Sequence, residues 1–318
     1  MKISVIGAGR WGSCIAWYLD SIGHEVKLYG PADTPQMLAF TNTRSNGLIT
    51  LGERIELVYN IDDINDAEII VVSIPSQGLR GLVGELFEAG ITDKNYVLCM
   101  KGIEIETGMR LSQIVEQGLG SNNVAVWIGP GHVQEFYRGV PNCMVIDSNN
   151  DELKHRLVNE FSSKLIRFYY GNDLLGNEVG AAAKNVIGIA AGMLDGYGLS
   201  SLKGALMSRG AREVARLIKA MGGNELSAYG LCHLGDYEAT VFSKYSHNRQ
   251  FGESFVKGEK FECLAEGYYT AKAMVKLGEK YSVDLPITNA VYDLLYNGAE
   301  PQKTLQELFD RQLKEELV

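Results

Sequence analysis

Short apolar runs of four to six residues, rich in Val and Ile, recur at 2–6, 25–29, 68–73, 96–99, 124–128 and 143–146. Near-continuous runs of that length suit strands buried on both faces, as in a parallel sheet covered by helices. Between them the apolar spacing takes a helical period at 11–22, 77–87 and 111–116, the first stopped by Gly23. Such alternation predicts a doubly wound α/β domain. A last strand at 166–170 precedes a change of texture. Beyond Asp173 helical periods take over, at 177–194, 205–221, 266–280 and 287–296. The expected division is therefore an α/β unit over 1–170 and an all-helical unit over 171–318. No Pro/Ser-rich linker separates them, so the two are expected to pack directly on each other.

Gly7-Ala8-Gly9-Arg10-Trp11-Gly12 follows the first run at once and opens the first helical pattern. A G-x-G-x-x-G alone is weak evidence in a chain with 36 glycines; its place between strand and helix is what carries weight. Gly7 permits the tight turn, Gly9 lets backbone N–H groups approach a pyrophosphate, and Gly12 lets helix and strand pack closely. The α/β unit is thus expected to be a Rossmann sheet binding NAD or NADP. The end of the second run, where an acid would favour NAD and an arginine NADP, reads Tyr29-Gly30-Pro31 and leaves that choice open. Asp33 and Arg44 are the nearest candidates for either role.

Composition narrows the function. Of 318 residues 46% are hydrophobic and 22% charged, which fits a folded globular chain. A net charge of −9 without a Lys/Arg run speaks against nucleic-acid binding. It leaves room for a small anionic substrate, since a few local cations can dominate a pocket. No apolar stretch approaches the length of a membrane span, and the first residues lack the form of a signal peptide. A cytoplasmic protein without membrane insertion is expected. Cys14, Cys99, Cys143, Cys232 and Cys263 are widely spaced and read as small hydrophobes in a reducing compartment, not a disulfide or zinc framework. The five histidines show no i, i+4 pairing, so no metal site is expected.

Two segments carry candidate chemistry. Lys101 follows a strand at the carboxyl edge of the sheet, where open α/β sheets hold ligands. Lys184 lies in an apolar, small-residue helix, Gly180-Ala181-Ala182-Ala183-Lys184-Asn185. A buried lysine has a lowered pKa, which suits a proton donor to a developing alkoxide. A lysine snorkelling from a helix edge is the plain alternative, but the neighbours offer no polar face. Asp236 supplies an acid after Gly235. The segment from Ser246 to Gly252 reads as a loop of donors around Arg249, equally a polar surface turn or an anion site.

The motifs GAGRWG (7–12), IPSQGLR (74–80), KGIEIETG (101–108), GAAAKNVIGIAAG (180–192), LGDYEATVFSKYSHNRQFG (234–252) and LAEGYYTAKA (264–273) resemble, in order and spacing, the bacterial-type NAD(P)-dependent glycerol-3-phosphate dehydrogenases. The likeness runs from Met1 to about Gly298. It implies reversible reduction of dihydroxyacetone phosphate to sn-glycerol 3-phosphate by a homodimer. It also implies Lys184 as general acid/base, Lys101 touching cofactor and substrate, and Asp236 orienting the lysine. Gly7, Gly9, Arg10, Trp11, Gly12, Pro75, Val133, His247, Leu264 and Glu266 would lie along the cofactor. Gly129, Gly131, Ser246, His247 and Asn248 would line the substrate.

Two positions depart from the family pattern. Gly131-His132-Val133 stands where a Ser/Thr-Phe-Ala is usual, which removes a hydroxyl. His247 stands where an arginine is usual. With an ordinary pKa of about 6.5, a histidine there should lose its hold on phosphate between about pH 6 and 8. These changes leave open a paralogue acting on another small ketone or hydroxy acid. A non-catalytic dinucleotide sensor is the reading from another class, but it has no use for Lys101, Lys184 and Asp236 together.

Overall fold

The computed structural model describes residues 1–313, 315 and 316; the other residues of the 171–318 range lie outside it. The strands are β1 (Lys2–Ile6), β2 (Glu25–Tyr29), β3 (Glu56–Val58), β4 (Ile69–Val72), β5 (Asn95–Leu98), β6 (Val124–Ile128), β7 (Asn142–Ser148) and β8 (Ile166–Tyr170). They form one sheet in the order β3-β2-β1-β4-β5-β6-β7-β8. β4 and β6 are buried at every position, as their unbroken apolar runs require. Alternate side chains feed two cores. Ile3, Val5, Val71 and Trp127 pack on one face, and Ile6, Val72, Leu98 and Val126 on the other.

The sheet departs from the all-parallel expectation at one place, where β6 and β7 pair antiparallel. The helix between them, Val133–Tyr137, has only five residues. At about 1.5 Å per residue it cannot carry the chain back along a strand rising about 3.3 Å per residue. β3 was not expected. It has three residues, of which only Val58 is buried, so it leaves no apolar run to see.

The helices are α1 (Arg10–Ser21), α2 (Pro35–Thr43), α3 (Leu79–Glu88), α4 (Leu111–Leu119), α5 (Val133–Tyr137) and α6 (Asp151–Phe161). After β8 come α7 (Leu174–Gly196), α8 (Lys203–Ala220), α9 (His247–Lys257), α10 (Glu266–Lys280), α11 (Pro286–Tyr296) and α12 (Pro301–Phe309). The sequence pattern did not show α2, α5, α6, α9 or α12. α9 replaces the expected loop: the Ser246 hydroxyl accepts the Arg249 N–H and caps it, so polarity marked a helix start here.

α7 organises the helical region. It is buried at every position from Gly176 to Met193, the mark of a helix surrounded by others. Its small residues let α9 cross almost backbone to backbone. A Cβ on Gly192 would lie 1.9 Å from the Arg249 carbonyl oxygen, and one on Gly252 2.1 Å from that of Ile189. This crossing sets the first turn of α9 beside Gly188, one turn beyond Lys184. Among the described residues no helix is long and apolar enough to cross a membrane.

Candidate active site

The turn between β1 and α1 is built by its glycines. Gly7 has φ +109°, and a Cβ there would lie 2.2 Å from the Ser73 carbonyl oxygen. A Cβ on Gly12 would lie 1.9 Å from the Gly7 carbonyl oxygen, so helix and strand touch. Gly9 differs: its backbone is extended and, beyond its own chain neighbours, nothing lies within 4 Å of where its Cβ would be. No side chain caps α1, which leaves first-turn N–H groups and a partial positive charge facing that space. Donors, charge and room together fit the pyrophosphate of a dinucleotide.

Pro75 precedes a short 3-10 turn, Ser76–Gly78, on the neighbouring strand end. Glu266, at the start of α10, accepts from the Ser76 N–H at 3.0 Å and from its hydroxyl, tying the helical region to the sheet edge. Burial pushes the Glu266 carboxyl up. Leu264 is exposed nearby. At the end of β2, Asp33 is exposed, while the Arg44 guanidinium donates to the carbonyls of Gly52 and Ile55.

Lys101, Lys184 and Asp236 converge. Asp236 Oδ2 accepts from Lys184 Nζ at 2.6 Å and from Lys101 Nζ at 2.7 Å. Lys101 also donates to the Gly129 carbonyl at 2.7 Å, and Lys184 to the Thr240 hydroxyl at 2.9 Å. Lys184 is buried, and loss of hydration pushes its pKa down to about 8; Asp236 pulls it up and Lys101 presses it down again. Beneath it, Tyr237 donates to His233 Nε2 at 2.7 Å and His233 Nδ1 donates to the Gly180 carbonyl at 2.8 Å. Burial pushes His233 down to about 4, so it stays neutral and adds no charge under the lysine.

A cavity of about 240 Å³ opens over this cluster between the sheet edge and the helices. Arg10, Trp11, Gly131, His132 and Val133 line it on one side; Lys184, Asp236, Thr240, Ser246, His247 and Asn248 line it on the other. Two buried polar atoms here, Asp236 Oδ1 and His132 Nε2, have no hydrogen-bond partner among the described residues. Atoms of that kind are expensive unless a ligand meets them. Gly131 has no room for a side chain, because a Cβ would lie 2.2 Å from the Phe136 ring.

Two expectations change. His247 is not a titrating cation near pH 7. Burial first, then the Arg10 charge, hold it below its ordinary value, and its Nε2 accepts from Arg10 Nη1. Arg249 does not serve the cavity, since its guanidinium binds Asp195 at 2.7 Å and Glu253 at 3.0 Å. Asn248 stands on the cavity wall, its amide donating to Asn185 Oδ1 at 3.0 Å and accepting the Gly267 N–H at 2.8 Å. Two further residues belong to the site without being legible in the sequence: Thr240, and Asn185, whose Nδ2 donates to the Lys101 carbonyl at 2.9 Å. Both stand inside motifs already noted, Thr240 four residues after Asp236 and Asn185 beside Lys184.

Comparison with known proteins agrees along nearly the whole chain. The family described as NAD-dependent glycerol-3-phosphate dehydrogenase N-terminus matches residues 2–154, and its C-terminus counterpart residues 173–306. A glycerol-3-phosphate dehydrogenase (NAD(P)+) from Thermoanaerobacter sp. (strain X514) is 34% identical over 100% of this chain and 99% of that protein. One from Prosthecochloris aestuarii (strain DSM 271 / SK 413) is 35% identical over 100% of both. The crystal structure of glycerol-3-phosphate dehydrogenase from Coxiella burnetii superposes with a TM-score of 0.90 at 26% identity, covering 98% of this chain and 99% of that one.

Proposed function

The chain belongs to the NAD-dependent glycerol-3-phosphate dehydrogenase family, and from that premise we propose that it reversibly reduces dihydroxyacetone phosphate to sn-glycerol 3-phosphate. It is a dehydrogenase that uses NAD or NADP. The observation that carries the proposal is the single Asp236 oxygen shared by Lys101 and Lys184 against the cavity. The bound nicotinamide supplies the hydride. The chain's own residues handle the proton and the placement. Lys184 Nζ donates a proton to the carbonyl oxygen as it gains charge, and takes it back in the reverse direction. Asp236 Oδ2 keeps that ammonium aimed, and its free Oδ1 accepts from a substrate hydroxyl. Lys101, fixed by Asp236 and Gly129, adds positive charge beside the developing alkoxide.

A pH signature follows from the lowered Lys184 pKa. Reduction needs the protonated lysine, so kcat/KM for the ketone should be level to about pH 7 and fall as pH rises through about 8. Oxidation needs the neutral form and should rise over the same interval. Profiles taken above pH 7 avoid the second phosphate ionisation, near about 6. Limbs of the same sign in both directions would remove Lys184 from the acid/base role.

The glycine turn gives a second check. Gly9→Val should leave the fold intact, because its backbone is extended and the space beyond it open. It should lower cofactor affinity, since losing even one charge-assisted bond to a phosphate costs about 10- to 100-fold. Calorimetric titration with NADH and NADPH reads this directly, and unchanged affinity would put the cofactor elsewhere. On the same reading the protein is a cytoplasmic homodimer, with the α/β and helical units meeting near residue 170. The first assay is dihydroxyacetone phosphate reduction followed at the nicotinamide absorbance.

A further inference from the structure

Arg10 stands out among the charged groups of the cavity. Lys184 and Asp236 neutralise each other, and Lys101 joins them through the same oxygen. Arg10 has no carboxylate in salt-bridge reach among the described residues; its guanidinium meets an imidazole instead. That contact spans the cavity mouth, from the first residue of α1 on the sheet side to the first residue of α9 on the helical side. His247 can accept from Arg10 only with its ring neutral and the proton on Nδ1, and the same ring is hydrogen-bonded to the Leu264 backbone. The ring is thereby fixed as a neutral acceptor.

We propose that Arg10 is the specificity-determining cation of this site: held by His247, it grips the phosphate of the substrate across the cavity from Lys184 and Asp236. The inference rests on the phosphorylated-triose reading above. A guanidinium carries five N–H donors in a planar fork. One goes to His247, and the remaining ones can take two phosphate oxygens in parallel. The neutral histidine aims the fork without competing for the anion, and a carboxylate in its place would cancel the charge. Arg10 therefore acts on the substrate anion and not chiefly on the dinucleotide beside which its backbone lies.

The experiment compares kcat/KM for dihydroxyacetone phosphate and dihydroxyacetone at saturating cofactor in wild type, Arg10→Gln and Arg10→Lys. Inorganic phosphate is titrated into each by calorimetry, and cofactor affinity is measured separately. Losing a charge-assisted grip should collapse the preference for the phosphorylated substrate by about 10- to 100-fold in Arg10→Gln. Phosphate affinity should fall with it and cofactor affinity should hold, which also shows that the variant is folded. Arg10→Lys should fall between the two. Moving the guanidinium across the contact, in Arg10→Ser with His247→Arg, should restore much of the preference. An unchanged substrate ratio in Arg10→Gln, or a loss confined to cofactor affinity, overturns the proposal. A wild type that shows no preference for the phosphorylated triose overturns instead the substrate reading beneath it.

Discussion

Lys184→Ala is expected to lower turnover by about 10²- to 10⁴-fold, the usual cost of losing one proton-transfer group. Cofactor affinity should stay near that of the wild type, because the dinucleotide turn lies on the sheet and Lys184 on α7. The pH limb near about 8 should vanish with the lysine. The loss should appear in kcat more than in KM, since the proton is needed only as charge builds on the carbonyl oxygen. Rapid-mixing kinetics in both directions provide the measurement. Near-normal turnover would pass the acid role to another group, and His132, with its unpartnered Nε2 in the cavity wall, would be the first to examine.

Asp236→Asn should have the second largest effect, and a different one. The aspartate is almost fully buried and stands between two lysines. Removing one partner of a buried ion pair costs about 3–5 kcal/mol, because it leaves charge without compensation. Chemical denaturation should register a loss of that order. Without the carboxylate, burial and the Lys101 charge, which both hold the Lys184 pKa down, act unopposed. More of the lysine is then neutral at pH 7, so reduction should suffer more than oxidation and the reduction limb should move to lower pH. Unchanged stability together with an unmoved limb would mean that Asp236 neither anchors nor charges the lysine.

The sequence was most legible where burial leaves a periodic trace. β1, β2, β6 and β8 fall where the apolar runs put them: β1 and β6 are covered on both faces and need apolar side chains at nearly every position, while β2 and β8 are buried at alternate positions only. α7 and α10 were legible as long helical periods. The missed elements are those whose burial is partial. β3 has one buried residue in three, and α9 buries only Gly252, so neither imposes a pattern. α6 carries Leu153, Leu157, Val158 and Phe161 at helical spacing, but five charged residues and a histidine among eleven diluted the signal.

For the site, the residues were more legible than their arrangement. Lys101, Lys184 and Asp236 were recognisable one by one, but three distant segments had to fold before one carboxylate oxygen could serve both lysines. His247 was misjudged for a related reason. Its titration depends on Arg10, 237 residues away in the chain, and on burial that no local pattern records. The apparent loss of a cation at position 247 is a fact about one segment, while the cavity as a whole keeps a guanidinium there.

The central claim is that this cavity reduces a phosphorylated triose. Purified protein should be given NADH and NADPH in parallel, with dihydroxyacetone phosphate and dihydroxyacetone as substrates, and nicotinamide absorbance followed. The account predicts cofactor oxidation that depends on dihydroxyacetone phosphate, with kcat/KM at least about 10- to 100-fold above that for dihydroxyacetone, the worth of one charge-assisted phosphate contact. Equal rates with the two ketones, or turnover only of a ketone that carries no phosphate, would contradict it.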